Sequence, residues 1–122
     1  MSDTERLGDA IILFGDFATT GRQEDNEELL VVLGRLANRV HRVRMIGSAA
    51  ADFAFIACGR ANGLIMSNAH QWDIEAGRLL LNEAGGATDG AAILGTHQYG
   101  LGGNREISKK LWRLVRPNST VE

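Results

Sequence analysis

Several residue types are scarce in this sequence of 122 residues. Its one cysteine, Cys58, excludes an intramolecular disulfide, and its place on the apolar side of a helical pattern predicts a buried, inert thiol in a reducing compartment. No apolar run approaches the roughly 20 residues that span a membrane, and the opening MSDTERLGDA lacks the apolar core of a signal peptide. We therefore expect a cytoplasmic protein without a membrane partner.

An excess of charge of one sign is also missing. The chain has 13 basic and 15 acidic side chains, a net charge of −2, and they are spread along its length. This lack of a basic footprint argues against a nucleic-acid partner. Four arginines lie close together in the sequence: Arg35, Arg39, Arg42 and Arg44. Because they alternate in part with apolar residues, we expect them to form a solvated face.

What the sequence does contain is the composition and pattern of one globular domain, residues 1–122. The hydrophobic share is 44% and the charged share 23%. Strand-like runs at 9–17, 41–46 and 64–67 and a weaker one at 87–94 alternate with helical patterns at 25–40, 49–58, 71–84 and 104–116. This alternation predicts the α/β class.

The helical patterns give more specific expectations. Asp25 is expected to cap the first helix and Asn104 the last, which Pro117 should end. Alanines in the second helix indicate close packing. The helix at 71–84 has apolar residues on more than one face and should be buried on more than one side, ending at Gly85 and Gly86.

The segment Gly47-Ser48-Ala49-Ala50 is the first candidate site. A strand-like run breaks at a glycine, and small residues then begin a helix. The first N–H groups of a helix lack partners inside it, and with the positive end of the helix dipole they attract a phosphate or another anion. The alternative is that Ser48 only caps its own helix, since serine is a preferred cap.

The second candidate is His70-Gln71-Trp72-Asp73-Ile74-Glu75-Ala76-Gly77. Asp73 stands where the strand at 64–66 has ended and a helix begins. A carboxylate there projects beyond the strand end, and Mg²⁺ binds one or two such carboxylates together with water and phosphate oxygens. The alternative is again a cap.

In their order and spacing, Gly-Ser-Ala-Ala, Trp-Asp-Ile-Glu-Ala-Gly and the following Glu83-Ala84-Gly85-Gly86 resemble the C-terminal half of the inositol monophosphatase family. The resemblance implies a mixed β-sheet flanked by helices and a Mg²⁺-dependent, lithium-sensitive phosphomonoesterase that acts on phosphorylated small molecules. It also implies substrate contacts from Gly47, Ser48 and Ala49 and a metal ligand in Asp73. His70 matches a histidine near the site in some members, although a structural or solvent-exposed role is the alternative, and Trp72 is expected to pack.

Two departures from the family pattern matter. Met66 stands where inositol-specific members place a glutamate that holds ring hydroxyls, and a thioether accepts hydrogen bonds weakly. No Asp-Pro-(Ile/Leu)-Asp-Gly-Thr segment, which supplies most metal ligands in the family, occurs in the sequence. We therefore expect the C-terminal half of a phosphatase that is inactive alone and needs a missing N-terminal half. The alternative is a non-enzymatic module that keeps the fold and forms a homo-oligomer.

Overall fold

A five-stranded mixed β-sheet forms the centre of the structure, a computed structural model that describes residues 1–15, 23–67, 71–94 and 97–115. For residues 23–25, 67, 71–74, 89–94 and 97–99 it describes the backbone alone. A 3₁₀ turn at Leu7–Asp9 precedes the main elements, which are β1 Ile11–Phe14, α1 Gln23–Ala37, β2 Arg42–Arg44, α2 Ala49–Ala57, β3 Gly63–Ser67, α3 Gln71–Glu83, β4 Ala87–Leu94, β5 His97–Gly103 and α4 Arg105–Val115. The expected α/β class with a mixed, helix-flanked sheet is confirmed.

The strand order is β2-β1-β3-β5-β4. β1 pairs in parallel with β2 on one side and with β3 on the other, whereas β5 runs antiparallel to both β3 and β4. The carboxyl ends of β1, β2 and β3 therefore lie at the same edge of the sheet. We call this edge the carboxyl edge.

The two faces of the sheet bury two separate cores. Because successive side chains of a strand point to opposite faces, β1 sends Ile12 and Phe14 to one side and Leu13 to the other. Ile12 and Phe14 share a buried cluster with residues of α1 and α4. Leu13 shares its cluster with Leu64, Met66, Phe53, Ile56 and Leu81, of which the last three come from α2 and α3. Helices thus cover the sheet on both faces.

At the opposite edge of the sheet, two buried asparagines join several segments. The Oδ1 atom of Asn62 accepts a hydrogen bond from the N–H of Ile11 at 2.7 Å. The backbone carbonyl of Asn62 accepts one from the N–H of Asn104 at 3.1 Å. The Oδ1 atom of Asn104 accepts from the N–H of Ile107 at 2.9 Å, so Asn104 caps α4 as expected. Its Nδ2 donates to the carbonyl of Thr4 at 2.6 Å. These bonds tie the amino-terminal segment to β1, β3 and α4.

The first helix differs from the expectation at its start. α1 begins at Gln23, so Asp25 lies inside the first turn and is not the cap. Carboxylates are favoured anywhere in a first turn because the helix dipole is positive there. The acidic run therefore marks the turn and not the cap residue itself. The expected inward stripe is present, with Leu29 and Leu36 buried.

The expectation of a buried thiol is wrong. Cys58 is exposed, and its Sγ donates to the carbonyl of Phe55 at 3.6 Å. α2 ends at Ala57, and Cys58 follows as the C-cap residue with φ −90° and ψ 5°. The prediction assumed that the helix includes Cys58, but α2 ends one residue before it, so Cys58 does not continue the apolar face of the helix. Ala50 and Ala54 are also exposed.

α3 is less buried than its sequence predicts. Among its described side chains, residues 75–83, Leu81 is fully buried, while Leu79 is 63% and Leu80 41% exposed. The helix therefore covers the sheet with one face. It ends as expected, with Gly85 at φ +90° and the N–H of Gly86 bonded to the carbonyl of Leu81 at 2.7 Å.

The arginine run is solvated only in part. Arg42 and Arg44 of β2 are exposed, as expected, but Arg35 is half-buried. Its Nη1 donates to the carbonyls of Leu114 at 3.1 Å and Val115 at 3.3 Å. A cation is favoured there because the last carbonyls of a helix carry partial negative charge. α4 ends at Val115, and Pro117 lies outside the described residues.

Candidate active site

The two candidate segments both follow parallel strands at the carboxyl edge. β2 ends at Arg44 and leads through residues 45–48 into α2, and β3 ends at Ser67 and leads into α3, which begins at Gln71. Because β2 and β3 both run parallel to β1, the starts of α2 and α3 lie at one edge of the sheet. Ligands of α/β proteins commonly bind beyond the carboxyl ends of parallel strands, where helix N-termini collect.

Gly47 and Ser48 form the turn into α2. Gly47 has φ +86°, a conformation that side chains disfavour, which explains the glycine. Ser48 is the N-cap residue, and its Oγ accepts a hydrogen bond from the N–H of Ala51 at 3.2 Å. Ser48 therefore caps its own helix, as the alternative interpretation of this segment predicted. Within the described chain the N–H groups of Ala49 and Ala50 have no acceptor, and they lie at the exposed start of the helix.

Asp73 is the third residue of α3 and so belongs to its first turn. The structure describes its backbone alone, as it does for Trp72, and His70 lies outside the described residues. The placement of Asp73 at the carboxyl edge thus rests on the backbone. The contacts of its carboxylate stay a prediction.

Direct packing joins α2 to α3. A Cβ atom on Gly77 would collide with the ring of Phe53, so the α3 backbone lies against that ring. Phe53 is 4% exposed. Ala49 lies about one turn ahead of Phe53, and Asp73 about one turn ahead of Gly77. The contact therefore fixes the starts of the two helices relative to each other.

Met66 does not face the candidate site as a polar ligand would. It is 5% exposed and belongs to the buried cluster between the sheet and α2 and α3. Met66 shares this cluster with apolar side chains such as Leu64 and Ile56. Any hydroxyl-bearing ligand near this position would therefore meet an apolar wall.

Sequence reasoning did not single out Asp52. This residue lies in the first turn of α2 and is 3% exposed, which is rare for a carboxylate. The positive end of the helix dipole stabilises a carboxylate in this position. The only signal in the sequence is an acidic residue four positions after the Ser48 cap.

The residues present can be tested against the Mg²⁺ that the family pattern implies. Mg²⁺ needs several oxygen ligands in near-octahedral geometry. No group of three or more His, Cys, Asp or Glu residues that could hold a metal ion occurs among residues 1–15, 23–67, 71–94 and 97–115, where the side chain of Asp73 is not described. The described residues alone thus do not fit a complete magnesium centre.

Comparison with known proteins decides the family. The model of the inositol monophosphatase family matches residues 2–116. This chain belongs to that family. Among relatives of this family, the protein named Nus factor SuhB of Escherichia coli K12 is 38% identical over 101 residues, which cover 83% of this chain and 37% of the relative. The inositol-1-monophosphatase of Mesorhizobium japonicum is 38% identical over 90 residues, covering 71% of this chain and 34% of the relative.

Solved structures of the family agree. The SuhB protein of Bartonella henselae superposes with a TM-score of 0.80 at 30% identity, covering 96% of this chain and 45% of that chain. The inositol monophosphatase of Anabaena gives 0.78 at 34% identity, covering 93% and 46%. This chain spans less than half the length of these relatives. The resemblance that the motifs indicated is therefore confirmed, for a part of the family fold.

A separate finding concerns membranes. In the part of the chain that the structure describes, every helix is too short or too polar to cross a bilayer.

Proposed function

We propose that this chain contributes part of a phosphomonoesterase site at the carboxyl edge of its sheet. In this proposal the segment Gly47–Ala49 contacts the phosphorylated small molecule through its backbone, and the carboxylate of Asp73 is one metal ligand. The observation that carries the proposal is the meeting of the α2 and α3 starts at one edge, each about one turn ahead of the contact between Phe53 and Gly77. Membership of the inositol monophosphatase family supports the reaction class.

The chain's own groups have limited roles in this chemistry. Mg²⁺, where the family uses it, activates water and neutralises charge on the phosphoryl group. The N–H groups of Ala49 and Ala50, in the first turn of α2, can donate to an anionic oxygen, aided by the dipole of that helix. His70 is a candidate for a further substrate contact.

We further propose that the chain alone hydrolyses phosphomonoesters at no appreciable rate. The ground is the sequence, which contains no Asp-Pro-x-Asp-Gly-Thr segment, and one carboxylate binds Mg²⁺ weakly. A second polypeptide with that segment would then be needed to complete the site. A cytoplasmic location is part of the same proposal.

The test is a Mg²⁺ titration of phosphate release from a panel of phosphomonoesters, including inositol 1-phosphate, with the chain alone and with an added polypeptide that carries the acidic segment. We expect release only in the mixture, and its loss in Asp73→Asn. Lithium-sensitive release by the chain alone that disappears in Asp73→Asn would contradict the proposed inactivity. Release in the mixture that survives Asp73→Asn would contradict the role of Asp73.

A second candidate function is a non-enzymatic module that associates with itself. Two exposed leucines on α3 favour it, Leu79 at 63% and Leu80 at 41%, because large exposed apolar groups promote association. The name of the E. coli relative, Nus factor SuhB, is that of a factor and not of an enzyme.

Sedimentation velocity at about 50 µM, a range that detects weak interfaces, tests this alternative. We expect a dimer or larger oligomer that Leu79→Gln weakens. Glu83→Gln, on the same helix and also exposed, is the matched control and should leave the association unchanged. A clean monomer would count against the module.

A further inference from the structure

We propose that an open groove beside β2, separate from the carboxyl-edge site, binds a small free anion with an apolar body. The groove has a volume of about 280 Å³. Five apolar residues form its floor and walls: Ile11, Leu13, Ile46, Phe55 and Ala61. Two arginines, Arg44 and Arg60, also line the groove. An apolar hollow with a few charged groups is the usual form of a small-ligand site.

The sheet register builds the floor of this groove. Leu13 of β1 is paired with Arg44 of β2, and Ile11 with Arg42, so these side chains point to the same face of the sheet. β2 is the edge strand on this side of the described sheet, and the groove is therefore open along β2.

Helix α2 and the turn after it build the opposite wall. Phe55 contributes a half-buried ring, and Ala61 is buried at 2% exposure. Gly59 adopts φ +83°, which turns the chain and carries Arg60 to the groove. The two guanidinium groups thus come from separate elements that the fold brings together.

The two positive charges of the groove favour an anionic ligand. Arg44 and Arg60 have no carboxylate partner among the described residues, and the one bond that Arg44 donates goes to the carbonyl of Val43 at 3.3 Å. Among the described side chains, no acidic one lines the groove. Guanidinium groups pair with carboxylates or phosphates in planar, two-pronged geometry, and an aromatic wall such as Phe55 accommodates an apolar body. The volume suits a body about the size of one phenylalkyl group, near the lower limit for small-ligand pockets.

The experiment compares two probes with the same phenylalkyl body and different head groups, the carboxylate of 4-phenylbutyrate and the neutral hydroxyl of 4-phenylbutan-1-ol, by calorimetric titration into the full chain. We expect the carboxylate to bind about tenfold more tightly than the alcohol. Arg44→Gln and Arg60→Gln should each weaken carboxylate binding about threefold to tenfold and leave alcohol binding unchanged. Ile46→Gln, at a residue 40% exposed, should weaken both probes without disturbing the core.

Arg78→Gln is the matched control, because Arg78 is exposed on α3 and pairs with Glu75 at 3.8 Å. It should change neither affinity. Equal binding of the two probes, no saturation by 4-phenylbutyrate up to about 10 mM, or unchanged affinity in both arginine variants would each overturn the proposal. A dimer in sedimentation that Arg44→Gln dissociates and 4-phenylbutyrate does not would assign the groove to a second copy of the chain, and would overturn it too.

Discussion

The ring of Phe53 lies against the backbone of Gly77, so closely that no side-chain atom fits between them. This contact joins α2 and α3, the two helices that begin at the carboxyl edge. The contact also explains the identity of Gly77, the last residue of the Trp-Asp-Ile-Glu-Ala-Gly segment. Glycine stands there because the neighbouring helix occupies the space of a Cβ atom.

Gly77→Ala should therefore destabilise the protein. Alanine is the better helix former by about 1 kcal/mol, but the added methyl group must displace a buried ring, which typically costs about 1–3 kcal/mol. We expect the packing cost to exceed the helical gain, with a lower midpoint in urea denaturation followed by circular dichroism.

Gly34→Ala is the control for that substitution. Gly34 also lies within a helix, α1, but nothing lies within 4 Å of a Cβ atom placed there. The substitution should raise the free energy of unfolding by up to about 1 kcal/mol. If both alanines stabilised the protein to the same extent, the close contact at Gly77 would be wrong.

Part of the candidate site could be predicted because its signals are local. The glycine and serine before α2 and the aspartate at the start of α3 follow rules of helix starts that depend on a few neighbouring residues. The side chain of Asp73 and the whole of His70 lie outside what the structure describes, so their roles stay predictions. Phe53 and Gly77 could not be paired from the sequence, because no local rule identifies which ring meets which glycine.

The cap of α2 gives a second prediction. Ser48→Ala removes the acceptor for the N–H of Ala51 and should cost about 1 kcal/mol of unfolding free energy. Ser48→Asp keeps an acceptor and adds a charge that the helix dipole favours, so it should restore the stability. Thermal unfolding of the three proteins measures this. Equal losses in both variants would show that the cap is not the stabilising feature.

Asn104 gives a third prediction, at the opposite edge of the sheet. Its Oδ1 caps α4, while its Nδ2 donates to Thr4. Asn104→Asp keeps the cap and loses the donor, whereas Asn104→Ala loses both. Since a buried group left without its partner costs about 1–3 kcal/mol, we expect alanine to destabilise by at least that amount in urea denaturation.

The aspartate variant separates the two roles of Asn104. Nδ2 donates to Ser2 Oγ at 3.2 Å as well as to the carbonyl of Thr4. If the aspartate variant is as stable as the native chain, these two bonds together contribute little and the amino-terminal segment is held by other contacts. Amide exchange at residues 2–5 then reports directly on that segment. We expect faster exchange there in Asn104→Asp, with α4 unchanged.

Long-range partners explain most of what the sequence did not predict. Arg35 reads as a surface residue in its own helix, yet its partners are carbonyls at the end of α4, many residues away in the chain. Cys58 fits an apolar stripe only while the helix continues, and α2 ends one residue before it. Helix stripes and caps depend on spacing, but burial depends on which element lies opposite.

Met66 gives the last prediction. Met66→Glu places a carboxyl group in the apolar cluster between the sheet, α2 and α3, whereas Met66→Gln adds a polar group that does not ionise. Burial raises the pKa of a carboxyl above its unfolded value of about 4.3. The folded protein then binds more protons than the unfolded one above that pH, so the stability of the glutamate variant falls as pH rises.

We expect the glutamate variant to be less stable than Met66→Gln by a larger free energy of unfolding at about pH 7.5 than at about pH 5, measured by urea denaturation at both values. Met66→Leu, which keeps the volume, should lose less than about 1.5 kcal/mol. A glutamate variant whose deficit does not change with pH would show that the side chain at position 66 reaches water, and that the family's polar contact could be restored here.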